Sequence, residues 1–358
     1  MTPAPLEVGV VVLTWNGADD TLACLRSLLA TTPLPRWIVL ADNGSVDGTV
    51  DRVLAALGEA GGPGLRPLGA EETVPAGAGQ GRVRRYALGG AAEGTTFVLV
   101  ENGANLGFAA GNNVALRWLL AQDVAQVLLL NNDTELAPDA IARLMEGMRA
   151  LPRAQALVPQ IRYWRRPETI WNCGGDWHWI GRPVYAYADQ PAARLDGAAP
   201  FRVGFVTGCA LLLRAAWLRE HGLLTERFFF GEEDVDLSWR LRAAGADAMW
   251  CWPSSVVLHK VGASVERAAD RALLPRAYVH YLNRLVFLRS VEGTGPRWQL
   301  QRAVVLAYLA HAFVRRFGVA PRTAWRALRD LAREARERDE VGAAHFHHVM
   351  REKFTGAR

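Results

Sequence analysis

The chain has 358 residues, about two domains' worth at roughly 150 residues each, and half of them are hydrophobic while 22% are charged. That balance excludes a disordered or fibrous protein. The formal charge of +5 belongs to the tail: residues 297–358 carry 13 basic and 6 acidic residues, which leaves the first 296 at −2, without the basic footprint of a nucleic-acid binder.

Val8 to Leu13 is a continuous aliphatic run that ends in Thr14-Trp15-Asn16-Gly17, and a helical pattern follows from Asp19 to Leu29. Trp37 to Ala41 repeats the pattern, ending in Asp42-Asn43-Gly44-Ser45 before a helix from Val50 to Leu57. Such strand–loop–helix units predict an α/β fold with a parallel sheet and functional loops at its carboxyl edge. Residues 58–95 are rich in Gly and Ala, interrupted by Pro63, Pro67 and Pro75, and read as a loop inserted into the sheet domain. Within them Gly77-Ala78-Gly79-Gln80-Gly81 follows no strand and lacks the spacing of a phosphate-binding loop. Phe97 to Val100 resumes the strands and leads through Asn105-Leu106-Gly107-Phe108 into a helix ending near Leu120. Val127 to Leu130 runs straight into Asn131-Asn132-Asp133-Thr134, with Pro138 near the start of the next helix.

Beyond Pro159 the aromatics Tyr163, Trp164, Trp171, Trp177, Trp179, Tyr185 and Tyr187 are crowded among Gly and Pro, as in a hairpin-rich lobe. Phe205 to Leu213 is apolar around Gly208, and a helix from Ala215 to His221 precedes Glu232-Glu233-Asp234 and a helical Val235 to Ala244. Met249 to Trp252 and Ser255 to His259 read as two short strands, and from about Ala269 the chain is mainly helical. Cys24, Cys173, Cys209 and Cys251 form no CxxC pair, which fits a reducing, cytoplasmic setting. Residues 1–7 lack the features of a signal peptide, and the apolar run Ala303 to Val314 falls short of the roughly 20 residues that span a bilayer.

Carboxylates and amides at the ends of separate strands suit a ribose, a base edge and a hard cation on a diphosphate. Asp133 ends an apolar strand, where a carboxylate has no packing role, and reads as a metal ligand or as a helix cap. Asp42 reads as a nucleotide contact or simply as a turn residue. The acids of 232–234 are too dense for capping alone. The aromatic stretch 163–187 suits either sugar stacking or a minor core, and His345, His347 and His348 read as surface residues.

Taken in order, VVVLTWNG (10–17), ADNGSVDGT (41–49), NLGFAAGNN (105–113), LLLNNDTEL (128–136), VTGCALLLR (206–214), GEEDVDLSWRLRAAG (231–245) and VLHKVGAS (257–264) resemble the family 2 glycosyltransferases of the GT-A fold, especially their bacterial rhamnosyltransferase-like branch. YVHYLNRLVFLR (278–289) resembles the helix that often follows the catalytic domain in that branch. The resemblance implies a GT-A domain over residues 1–265, with a nucleotide-sugar half to about 135 and an acceptor half from about 136, followed by a helical, basic region over 266–358. It implies inverting transfer of a sugar from a nucleotide-diphosphate donor, dTDP-L-rhamnose or alternatively a UDP-hexose or UDP-galactofuranose, to a cell-surface polysaccharide or lipid-linked glycan. Asp234 would then be the general base, with Glu233 supporting it or taking its place. Asp133 and His259 would hold Mg²⁺ or Mn²⁺. Thr14, Asn16, Asp42, Asn43, Asn105, Gly107, Asn113, Asn132 and Asp133 would line the donor side, and Gly208, Trp171, Trp177 and Glu232 the acceptor side. The motif Asn131-Asn132-Asp133 keeps one acid where the family's DxD has two, and Trp239-Arg240 is not the QxxRW of processive synthases, which favours single additions. A protein that binds a nucleotide sugar without catalysis is the rival reading, and Asp234 argues against it. A nicotinamide-binding fold is excluded by Thr14-Trp15-Asn16-Gly17, which has no glycine fingerprint. The basic tail suits an anionic membrane surface on the inner face of the cell membrane, or a helical cap with a solvated face.

Overall fold

The computed structural model describes residues 4–59, 62–178, 181, 183–261, 273–315 and 319–354. Its centre is a parallel array in the order β7 (Gln126–Asn131), β1 (Leu6–Thr14), β2 (Pro35–Asp42) and β6 (Thr96–Glu101). Val10 and Val12 pack with Leu40 and Leu130 on one face, while Val11, Val39, Val98 and Leu129 pack on the other. Burial of both faces explains why these strands read as unbroken apolar runs. α1 (Ala18–Leu29), α2 (Thr49–Gly58) and α4 (Ala140–Ala150) contribute to the first face, and α3 (Phe108–Leu120), α5 (Ala215–His221) and α6 (Glu233–Ala243) to the second.

β14 (Ala210–Arg214) enters antiparallel between β7 and β9 (Ala156–Tyr163), and β15 (Met249–His259) runs parallel to β9 and pairs antiparallel with the short β13 (Phe201–Arg202). Because β14 opposes both neighbours, β9 and β15 end at the same edge as β7. β15 is one strand whose register shifts between Trp252 and Val256, and not two strands. β8 (Thr134–Leu136) pairs with it, setting Thr134 opposite His259. The aromatic lobe is built of hairpins as expected: β9 with β10 (Arg166–Asn172), and β11 (Gly175–Trp177) with β12 (Pro183–Tyr185). Trp179 lies outside the described residues.

The reading of 58–95 as a loop is overturned. β5 (Gly79–Leu88) extends the sheet antiparallel to β6, and β3 (Leu65–Pro67) and β4 (Glu72–Ala76) each pair antiparallel with β5. Gly77 and Ala78 form the turn between β4 and β5, with Gly77 at φ 57°, so the glycine cluster is a hairpin tip.

The chain ends in α7 (Leu273–Glu292), α8 (Pro296–Arg315), α9 (Pro321–Glu337) and α10 (Ala343–Arg351), which share a core of their own with Phe205, Phe228 and Val235 of the sheet domain. Residue 265, the expected domain boundary, and Gly262-Ala263-Ser264 of the last motif lie outside the described residues. His345 is not a surface residue: its Nε2 lies 2.8 Å from Glu334, which Lys353 also reaches at 2.9 Å, and this cluster seats α10 on α9.

Candidate active site

Register alone lines up the first side chains of the site. Thr14 pairs with Asp42, Asp42 with Glu101, and Leu13 with Asn131, so four strand ends meet at the carboxyl edge. Asp42 is buried and accepts from the backbone N–H groups of Gly44 and Ser45 at 3.2 Å, folding the loop beneath it. Asn16, at φ 50°, links the first two loops, since its N–H donates to Ser45 Oγ at 3.0 Å and its Oδ1 accepts from the Val46 N–H at 2.8 Å. Thr14 and Thr21 share a hydrogen bond of 2.8 Å, and Asn132 Nδ2 donates to Thr21 Oγ1 at 3.0 Å. Trp15 stands exposed beside this edge.

Asn43 holds the third loop. Its Nδ2 donates to Asn105 Oδ1 at 3.0 Å and to the Gly107 carbonyl at 3.1 Å, while its Oδ1 accepts from Asn102 Nδ2 and the Leu106 N–H at 3.1 Å. All its polar atoms are spent on the scaffold. Gly107 sits at φ 88°, and a Cβ there would lie 2.1 Å from the Phe229 carbonyl oxygen, which accepts from the Phe108 N–H at 3.1 Å. Only glycine permits that approach, and it draws the loop before Glu232 onto the carboxyl edge of the sheet. Asn113 departs from the expected donor contact. Its Nδ2 donates to the Leu224 carbonyl and to Glu226, each at 2.8 Å, and its Oδ1 accepts from the Leu224 N–H, so the buried amide ties α3 to the loop after α5.

The candidate metal end is the pair Asp133 and His259, with His259 Nε2 3.2 Å from Asp133 Oδ1. Backbone bonds from Lys260 N–H to the Asp133 carbonyl and from Trp164 N–H to the His259 carbonyl, each 2.9 Å, fix both residues. Burial works against the charged imidazole, but Cys209 and the Asp133 carboxylate outweigh it and raise its pKa. The residues fit a divalent cation once the imidazole gives up its proton: one carboxylate and the Nε2 of one imidazole lie at a spacing that a single ion can bridge. Among the described residues no group of three or more His, Cys, Asp and Glu surrounds such an ion, so most of its ligands would come from diphosphate and water. Trp171, expected on the acceptor side, packs edge-on against His259 with ring centres 4.4 Å apart.

At the other end, Glu232 caps α6 in the left-handed conformation, φ 70°, and the first turn of that helix carries Glu233 and Asp234. Burial, then the Asp234 charge, pushes the Glu233 carboxyl up to about 8, and its Oε2 is buried without a hydrogen-bond partner. Burial and the Glu232 charge likewise raise Asp234, to about 7, with Arg284 working against the rise. Arg284 of α7 donates from Nε to Glu232 at 2.5 Å and from Nη1 to the Gly181 carbonyl at 2.7 Å. The pair is almost sealed from water, its side chains 8% and 2% exposed. Asn283 Nδ2 donates to the Phe230 carbonyl at 2.9 Å, so α7 grips the carboxylate loop twice.

Tyr185 lies between Trp171 and Phe205. Its ring lies 6.1 Å from that of Trp171. Burial and then the Asp234 carboxylate push its phenol up to about 12. Gly208 faces the Phe108 ring, with 3.5 Å between its Cβ position and that ring. Trp177 donates from Nε1 to the Gly204 carbonyl at 2.7 Å and packs edge-on against Phe205 and Trp239, which makes it a wall of the helical junction. Sequence reasoning located the carboxylates and missed what holds them. Arg284 and Asn283 were visible only as an Asn-Arg pair on a helix.

No family model matches the chain. It is 28% identical over 327 residues to the N-acetylglucosaminyl-diphospho-decaprenol L-rhamnosyltransferase of Mycobacterium tuberculosis, in strains CDC 1551 / Oshkosh and ATCC 25618 / H37Rv, with 86% of this chain and 92% of that protein aligned. Among solved structures it matches GalNAc-T7 with UDP, GalNAc and Mn²⁺ at a TM-score of 0.52 and 14% identity, covering 90% of this chain and 54% of that one. It matches the mannosyltransferase PcManGT from Pyrobaculum calidifontis, in complex with GDP-Man and Mn²⁺, at 0.50 and 16%, covering 94% and 88%. The chain has the GT-A glycosyltransferase fold. The GT-A sheet therefore places the ends of β1, β2, β6 and β7 on the edge where the sequence motifs cluster, and its similarity in sequence is to a glycosyltransferase.

Proposed function

We propose that this protein is an inverting glycosyltransferase that moves one sugar from a nucleotide-diphosphate donor, dTDP-L-rhamnose before any UDP-hexose, to a hydroxyl of a lipid-linked glycan at the inner face of the cell membrane. The observation that carries the reading is the carboxylate pair in the first turn of α6, Glu233 buried and Asp234 half-buried, both with raised pKa values. A carboxylate with its pKa near the working pH is suited to general-base catalysis. Asp234 accepts the acceptor's hydroxyl proton as the oxygen attacks the anomeric carbon, and the bond from that carbon to the diphosphate breaks on the opposite side. Asp42, Asn16 and Thr14 shape the nucleoside side, and the 105–108 loop the sugar side. A divalent cation held by Asp133 and His259 would offset the charge developing on the diphosphate. The rhamnosyl donor and the lipid-linked acceptor rest on the similarity to the M. tuberculosis enzyme.

A thermal-shift panel with dTDP, UDP, GDP and NAD, each with and without Mn²⁺, tests the donor side, because a ligand that binds only the native state raises its stability by about 2.7 kcal/mol at a hundred times its Kd. The expected result is a manganese-dependent rise with dTDP above UDP. A larger rise with UDP moves the donor to a UDP-sugar, and no rise with any nucleotide diphosphate overturns the reading.

A further inference from the structure

α8 buries Trp298, Gln301, Val305, Leu309, Ala312 and Phe313 against its neighbours. The opposite side of a water-facing helix normally carries charge. Here it carries Leu300, Ala303, Ala307, Tyr308, His311 and Val314, with no charged residue anywhere from Ala303 to Val314. Leu300 and Tyr308 are 53% and 49% exposed, and the stripe runs for about 21 Å at 1.5 Å per residue. α9 packs beside α8, and the charge of Arg336 near its end is felt at Arg302 near the start of α8, so the two run in opposite directions. α9 exposes an arginine stripe of similar length: Arg322, Arg326, Arg329, Arg333 and Arg336 recur every three or four residues. Trp325 stands 62% exposed among them, the Arg329 guanidinium 5.3 Å from its ring, above a shallow depression lined by Pro321, Arg322 and Arg326.

We infer that the exposed faces of α8 and α9 seat this protein on an anionic lipid surface. A second copy of the chain would cover the apolar stripe but bring the two arginine stripes together, which like charge opposes. An anionic bilayer satisfies both stripes: the arginines meet lipid phosphates, and Tyr308 and Trp325 take the headgroup level that amphipathic rings prefer. No helix among the described residues is long and apolar enough to cross a membrane, so the contact lies along the surface. The inference deepens the lipid-linked acceptor reading and rests on it for its purpose, though the surface itself stands on α8 and α9.

The test is co-sedimentation of the full chain with phosphatidylcholine vesicles, with and without phosphatidylglycerol. It uses two variants, Arg322→Glu/Arg326→Glu/Arg329→Glu and Leu300→Ser/Tyr308→Ser/Val314→Ser, each confirmed as folded by circular dichroism. Each basic residue near an anionic surface is worth about fivefold in partitioning, so the charge reversals lower binding by at least about a hundredfold. The expected result is salt-sensitive binding to the anionic vesicles, lost in both variants. Wild-type protein that ignores phosphatidylglycerol, variants that bind like wild type, or a wild-type dimer that the serine variant dissociates each overturn the inference. Transfer to a short, water-soluble acceptor should be unchanged in both variants while transfer to a vesicle-embedded acceptor falls. Vesicle binding without transfer to any acceptor would instead sink the glycosyltransferase reading and leave the surface standing.

Discussion

Replacing Arg284 by Met tests how α7 supports the carboxylate loop of the sheet domain. The substitution keeps side-chain bulk, removes the 2.5 Å contact to Glu232 and the 2.7 Å donation to the Gly181 carbonyl, and leaves a carboxylate that is 2% exposed without its counter-charge. Breaking a buried ion pair from one side costs about 3–5 kcal/mol, because the remaining charge keeps its desolvation penalty. At about 2–4 °C per kcal/mol for a large domain, the melting temperature should fall by on the order of 10 °C. Adding Glu232→Gln removes the stranded charge and should recover more than half of the loss. Arg284 also holds Asp234 down, so the acid limb of kcat/KM should move to higher pH in Arg284→Met. Differential scanning fluorimetry and pH–rate profiles of the wild type, both single variants and the double variant read these effects. A single variant that melts like wild type, or a double variant that recovers nothing, would refute the reasoning.

Asp234→Asn should lower turnover by about 10²–10⁴-fold with nucleotide binding intact, and Glu233→Gln by less; the opposite order in steady-state assays would make Glu233 the base. Activity of the wild type should rise with pH as Asp234 loses its proton near 7. Stability should move the other way: the two raised carboxyls contribute fully below the ordinary carboxylate range and lose that contribution as pH climbs through about 7 and 8, so Glu233→Gln should flatten the alkaline fall in melting temperature. Asp133→Asn and His259→Gln should each abolish the manganese-dependent part of the nucleotide-diphosphate thermal shift, while a retained manganese effect would remove them from the metal end. Gly107→Ala combines φ 88° with a Cβ placed 2.1 Å from the Phe229 carbonyl, and chemical denaturation should show a loss of about 2–5 kcal/mol.

The central strands were legible because burial on both faces leaves uninterrupted aliphatic runs, and the acids at their ends stood out against them. β5 was not legible: it alternates Gly81 and Val83 inward with Arg82 and Arg84 outward, and those arginines find their partner only when β6 brings Glu101 beside them at 2.9 Å. Asn113 is placed on the donor side by the resemblance alone, and its amide is instead taken by a loop 111 positions away. His345 lies 2.8 Å from Glu334 of the preceding helix, and Arg284 is paired with Glu232 across 52 positions. Composition and spacing place chemistry on elements, while the pairs that hold it in place are made by tertiary contacts.

The most direct measurement is product analysis. The full chain would be incubated with dTDP-L-rhamnose, Mn²⁺ and an N-acetylglucosaminyl-diphospho-polyprenol acceptor, followed by nuclear magnetic resonance of the anomeric proton. Acceptor-dependent release of dTDP, with one sugar added per acceptor in the configuration opposite to the donor's, is the predicted result. Product with the donor's configuration retained would contradict Asp234 as a base acting in a single displacement. No transfer from any nucleotide-diphosphate sugar would contradict the account as a whole.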